Sequence, residues 1–249
     1  MHKSKLLSGI IIALTISFVG FRIFQLETIG DMVRGLIVPL LTLLYCMSGK
    51  SKSNYFFYFL LFYSIAEFIG IFSYFAYYST MLDNLFYYGG NLCYITAYVY
   101  LILEVLKSIN IKSVINRFPV HIIILLVLDI YSVYLVSEVA LKSDALSGIL
   151  DSVIEIVYNI VIMLLLTITL INYISRDSKK AMNLLLGSLC IVFSEIMQVA
   201  YFYVSDKNIL NITYSILLIF AFFFFYIQAG MNYSRNDAYN KTSINNIEV

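Results

Sequence analysis

Apolar runs, each broken by only a few polar side chains and separated by short polar connections, recur along the whole chain. A bilayer core of roughly 30 Å needs about 20 apolar residues in a helix, with a usual range of about 17 to 25. Eight stretches meet that demand, near 6–24, 32–48, 54–78, 82–106, 119–137, 148–174, 181–204 and 209–231. The pattern predicts an all-α integral membrane protein, with eight transmembrane helices over residues 1–231 and a polar tail at 232–249. The second stretch is the shortest and carries Arg34 and Pro39 in its first half. The first reads as a retained span, because no small-x-small cleavage site follows it before Arg22. Connections of a few residues to about a dozen leave no room for a separate soluble domain.

Composition agrees with the pattern. Hydrophobic residues make up 61% and charged residues only 12%, with a mean hydropathy of +0.87, against roughly 25% charged residues in a soluble domain. A formal charge of +1 with no dense basic face excludes nucleic acid as a partner. Lipid is the partner that composition implies. Basic residues also orient the spans, because Lys and Arg in short loops favour the cytoplasmic side. Lys3 and Lys5, Lys50 and Lys52, then Lys107, Lys112 and Arg117, then Arg176, Lys179 and Lys180, and finally Arg235 and Lys241 fall at the N-terminus, at alternate connections and in the tail. Only Arg22, Arg34, Lys142 and Lys207 fall on the opposite side. Both termini are therefore expected in the cytoplasm, with the protein in the cell membrane. Cys46, Cys93 and Cys190 sit singly in separate spans and read as small buried hydrophobes. The 22 tyrosines and 19 phenylalanines, with no tryptophan, read mostly as interfacial anchors and helix packing. The glycosylation triplets at Asn211 and Asn240 read as chance.

Two polar positions change the picture. An ionised carboxylate at the helix centre costs about 2.5 to 3.5 kcal/mol on insertion scales, so it faces protein or water rather than hydrocarbon. Glu67 lies in the third span and Glu195 in the seventh, each about 20 Å from the cytoplasmic end at 1.5 Å per residue. Those two spans run in the same direction, as they would in a parallel 4+4 repeat of a four-span unit. Helical spacing puts Tyr63, Glu67 and Tyr74 on one face, and Glu195 and Gln198 on another. Asn91, Tyr94, Tyr98, Asp129, Asp151, Glu155 and Asn159 are further candidates for a polar interior. Such residues also serve as plain interhelical hydrogen bonds, worth about 0.6 kcal/mol each on average. No lysine lies within a span for a Schiff base, and neither His2 nor His121 belongs to a metal-ligand spacing. His121, just after Pro119, reads as an interfacial residue. With no phosphate loop and no G-x-S-x-G elbow, any hydrolysis falls to carboxylates.

The stretches VPLLTLLY at 38–45, SIAEFIG at 64–70, YYGGNLCYITAY at 87–98, GSLCIVFSEIMQ at 187–198 and FYIQAG at 225–230 resemble, in that order, the motifs of the lysoplasmalogenase, or YhhN-like, membrane proteins. That resemblance implies an eight-span fold and hydrolysis of the vinyl ether bond of a lysoplasmalogen, a membrane lysolipid, without a metal or organic cofactor. Both aspartates of the family pattern correspond to glutamates here, Glu67 and Glu195; Val38 stands where lysine is usual and Ile95 where histidine is. The expected catalytic pair is Glu67 and Glu195, one donating a proton and the other acting as anion and base, with the order left open. Tyr63, Asn91, Tyr98 and Gln198 are the expected substrate-binding residues. The alternative is a non-catalytic protein that binds a lipid or other amphiphile in the same polar cavity, as a sensor or carrier. A proton-coupled transporter is a third reading, opposed by the lack of Gly/Pro-broken helices in both halves.

Overall fold

A computed structural model describes residues 2–47, 53–75, 80–142 and 148–231. Among the described residues the secondary structure is helical throughout: α1 (His2–Ile23), α2 (Glu27–Met47), α3 (Asn54–Ser73), α4 (Thr80–Leu106), the short α5 (Ile111–Arg117), α6 (Pro119–Leu141), α7 (Ile149–Arg176), α8 (Lys179–Tyr203) and α9 (Asn208–Ala229). Seven of these, α2 to α4 and α6 to α9, are long and apolar enough to cross a membrane. The chain is a multi-pass membrane protein. Within α1 the described apolar stretch is Gly9–Ile23, below the about 17 residues that a span needs.

Helix ends follow local chemistry more closely than hydropathy does. The second helix begins at Glu27 rather than at 32, so Asp31 lies inside it along with Arg34, which the predicted span already contains. The third ends at Ser73, short of the predicted 78; residues 76–79 lie outside the described set, as do Lys50, Lys52 and the tail. The helix α5 occupies a connection for which the hydropathy pattern predicts none. Pro119 opens α6 at its first turn, where a missing N–H costs nothing. Pro39 sits inside α2, which membrane helices tolerate when neighbours re-satisfy the backbone.

Sequential helices pack on one another from α1 to α4 and again from α6 to α9, and the two sets meet where α4 packs on α7 and α2 on α9. Six helices, α2, α3, α4, α7, α8 and α9, thus close a ring, with α1 and α6 outside it. The outer helix α6 turns Ile123, Val127 and Ile130 outward, as a lipid-facing helix requires. Aromatic side chains fill the ring. Phe59 of α3 stacks on Phe222 of α9 with centroids 5.6 Å apart and meets Phe225 edge-on at 5.6 Å. Tyr63 packs edge-on against Phe222 at 4.6 Å.

Gly187 sets the spacing of α8 and α9: a Cβ there would lie 2.4 Å from the Phe225 ring. That ring is fully buried and wedged against Phe59 and Phe222, so it cannot swing away cheaply. Gly187→Ala is expected to destabilise the bundle by about 1–3 kcal/mol, the usual cost of overpacking, seen as a lower thermal midpoint in detergent. An unchanged midpoint would show that α8 and α9 separate freely.

Candidate functional site

Glu67 projects from α3 into the ring and is almost fully buried, at 3% exposure. Its charge partner comes from α2: Arg34 Nη1 lies 3.8 Å from Glu67 Oε1. A backbone without a side chain makes this approach possible, because a Cβ on Gly35 would lie 3.3 Å from Glu67 Oε2 and 3.0 Å from the Ile71 side chain. The Arg34 guanidinium also covers the Tyr214 ring at 5.6 Å, a cation–π contact that holds it in place. Thr42 of α2 and Ser64 of α3 share a 2.8 Å hydrogen bond on the same interface. Helices α2 and α3 are thus pinned together on both sides of the acidic position.

Glu195, on α8, is 8% exposed. Two phenols converge on one of its oxygens: Tyr158 of α7 donates to Oε1 at 2.7 Å, and Tyr98 of α4 donates to it at 3.3 Å. Aromatic rings pack beside this carboxyl, with Tyr63 edge-on against Tyr94 at 4.8 Å and against Tyr98 at 6.0 Å. Tyr63 and Tyr94 each lie within electrostatic range of both glutamates. Tyr98, bonded to Glu195, is thus in ring contact with Tyr63, which lies one turn before Glu67 on α3.

Of the residues predicted for the site, Tyr63 and Tyr98 join the glutamates and two others do not. Asn91 turns back and donates to the Tyr87 carbonyl of its own helix at 2.9 Å, on the exposed side of α4. Asparagine competes for nearby backbone groups in this way, and helical spacing does not reveal it. Gln198 is half-buried one turn beyond Glu195, and among the described residues no hydrogen bond joins the two.

Other polar candidates link helices. Thr167 donates to Asp129 at 2.7 Å across α6 and α7, and Asn159 donates to Ser137 at 3.2 Å across the same pair. Asp151 accepts from Tyr88 at 2.8 Å and caps α7 through the Gly148 N–H. Tyr74 donates to Asp31, which pairs with the buried Arg22. His121 is exposed beside Phe118, and Asn211 is buried in α9, out of reach of a glycan.

Sequence reasoning missed two members. Arg34 reads as a blemish in a weak span, yet it lies four residues before Val38 and so on the same helical face. Tyr158 stands between Glu155 and Asn159 in a polar stripe of α7, the one signal that could have singled it out.

Chemically, the arrangement holds an ion-paired carboxylate and a carboxyl bonded to two phenols, both nearly buried. Comparisons of the chain with protein-family models, with curated proteins and with solved structures give no match.

Proposed function

We propose that the protein is a membrane-embedded hydrolase of the lysoplasmalogenase type, in which Glu67 and Glu195 cleave the vinyl ether of a lysoplasmalogen-like lipid. The observation that carries this reading is a pair of buried carboxyls from α3 and α8, one paired with Arg34 and the other bonded by Tyr98 and Tyr158, beside the packed rings of Tyr63, Tyr94 and Tyr98. An eight-span chain in the cell membrane, with both ends in the cytoplasm, suits it. Lys107, Arg176 and Lys180 line one end of the bundle together, in keeping with the alternation of charge. The reciprocal contacts of α4 with α7 and of α2 with α9 fit a 4+4 repeat in which α3 and α8 are counterparts.

The roles follow from the partners. Glu67, beside Arg34, serves as the anion. Glu195 receives both phenols on Oε1, which leaves Oε2 to carry the transferable proton. That proton goes to the alkene carbon remote from the ether oxygen, giving an oxocarbenium ion that the Glu67 carboxylate steadies. Water adds to the cationic carbon as Glu67 takes its proton. The hemiacetal then collapses, its hydroxyl proton moving to the ether oxygen, to release an aldehyde and the glycerol phospholipid. Passage of the proton from Glu67 back to Glu195 through the neighbouring tyrosines restores the pair, and one water is consumed.

Aldehyde release from a synthetic lysoplasmalogen, by full-length protein in detergent, tests this directly. Turnover dependent on both glutamates is expected; a protein that binds the lipid and leaves it intact would fit the second reading, an amphiphile-binding sensor or carrier. That second reading is favoured by one observation, the close aromatic packing around both acids.

A further inference from the structure

A second polar site lies away from the glutamates, at the end of the bundle where α3 and α8 begin and α4, α7 and α9 finish. There a cavity of about 370 Å³ is lined by Lys107, Arg176 and Lys180, with Glu104, Ser53 and Gln228. Three cations face one carboxylate, and the Ser53 hydroxyl bonds that carboxylate. The Arg176 guanidinium is anchored by a hydrogen bond to the Ser108 carbonyl, so that cation is held in place at the cavity wall. It continues into an adjoining depression that adds Lys112. The Lys107 ammonium stands 5.9 Å over the Tyr55 ring.

An independent observation points to a ligand. Gln228 is 1% exposed, lines this cavity, and its side-chain carbonyl Oε1 has no hydrogen-bond partner among the described residues. A buried amide oxygen left without a donor costs about 1–3 kcal/mol. Lipid tails cannot supply that donor; a hydroxyl group can.

We infer that this cavity binds a phosphate-bearing polar group that also carries a hydroxyl, as in a phosphatidylglycerol headgroup. The phosphate charge faces Lys107, Arg176 and Lys180, and the hydroxyl donates to Gln228 Oε1. Glu67 and Glu195 lie about 13–14 residues along α3 and α8, roughly 20 Å distant. That span exceeds the separation of phosphate and vinyl ether in one lysoplasmalogen, so the ligand is not the hydrolysed lipid, and the inference stands whether or not the glutamates are catalytic.

Native mass spectrometry of the full-length protein released from neutral detergent can count bound lipid. The probes are phosphatidylglycerol, phosphatidic acid and phosphatidylcholine with identical chains, each also in competition with sn-glycerol 3-phosphate. Phosphatidylglycerol is expected to bind about tenfold tighter than phosphatidylcholine, a preference lost in Lys107→Gln/Lys180→Gln. Gln228→Leu is expected to weaken phosphatidylglycerol while leaving phosphatidic acid, which lacks the glycerol hydroxyls, at its wild-type level. Competition by glycerol 3-phosphate would assign the site to a soluble phosphate ester; competition from lipids alone would assign it to the headgroup. Equal binding of phosphatidylglycerol and phosphatidylcholine, or an undiminished preference in a double variant with a wild-type thermal midpoint, overturns the inference.

Discussion

Glu195→Gln is expected to lower aldehyde release from a lysoplasmalogen by about 10²–10⁴-fold, the usual contribution of a positioned proton donor. The substitution isolates the chemistry, because glutamine has the shape of glutamate and keeps a carbonyl oxygen to accept from Tyr98 and Tyr158. What it lacks is an acidic proton. Glu67→Gln is expected to cause a comparable loss for a different reason, since it removes the anion beside the developing cation and leaves Arg34 facing a neutral amide. Measuring kcat and KM separately distinguishes this from a binding defect: a loss confined to kcat marks groups that act in the transition state. Turnover unaffected by either change would remove both glutamates from the mechanism. Lipid retained with no aldehyde from the wild type would leave the amphiphile-binding reading in its place.

Arg34→Met should be the most damaging single change to stability, with an expected loss of about 3–5 kcal/mol. Desolvating a carboxylate is costly, and the cation 3.8 Å away offsets that cost for Glu67; without it the acid sits in a nearly closed interior with no cation beside it among the described residues. Methionine keeps most of the packing on Tyr214 while deleting the charge. The double variant Arg34→Met/Glu67→Gln is expected to recover much of the loss, because neither charge then remains. Unfolding in mixed micelles for wild type, both single variants and the double variant measures the coupling. Additive losses would show that the pair contributes nothing as a pair, and would detach Arg34 from the site.

The carboxyl positions stood out in the sequence for the same reason that they matter: an acid in a run such as FYSIAEFIGIFSYF is costly against lipid, so it demands an explanation from its own segment alone. Arg34 drew the opposite inference, since a cation near Pro39 weakens the hydropathy of its span and nothing local shows that Glu67 lies opposite. Asn91 and Gln198 illustrate a different failure. Both have the right spacing, but a helical face only limits direction, and the Tyr87 carbonyl, one turn back, captured the asparagine. Asp129, Asp151 and Asn159 were found as polar interior residues, while their partners Thr167, Tyr88 and Ser137 lie 22 to 63 residues away in the chain.

From the sequence by itself came the membrane class, the approximate limits of the long helices and the two acids that needed shelter, because each depends on how one segment exchanges water for lipid. Tertiary structure alone decided that Arg34 belongs to Glu67, that Tyr158 and Tyr98 belong to Glu195, and that Tyr98 packs against Tyr63. Those pairings depend on which helices close the ring and on how closely Gly35 lets α2 approach α3. Partner choice of that kind is a property of several segments at once, and no single stretch of chain contains it.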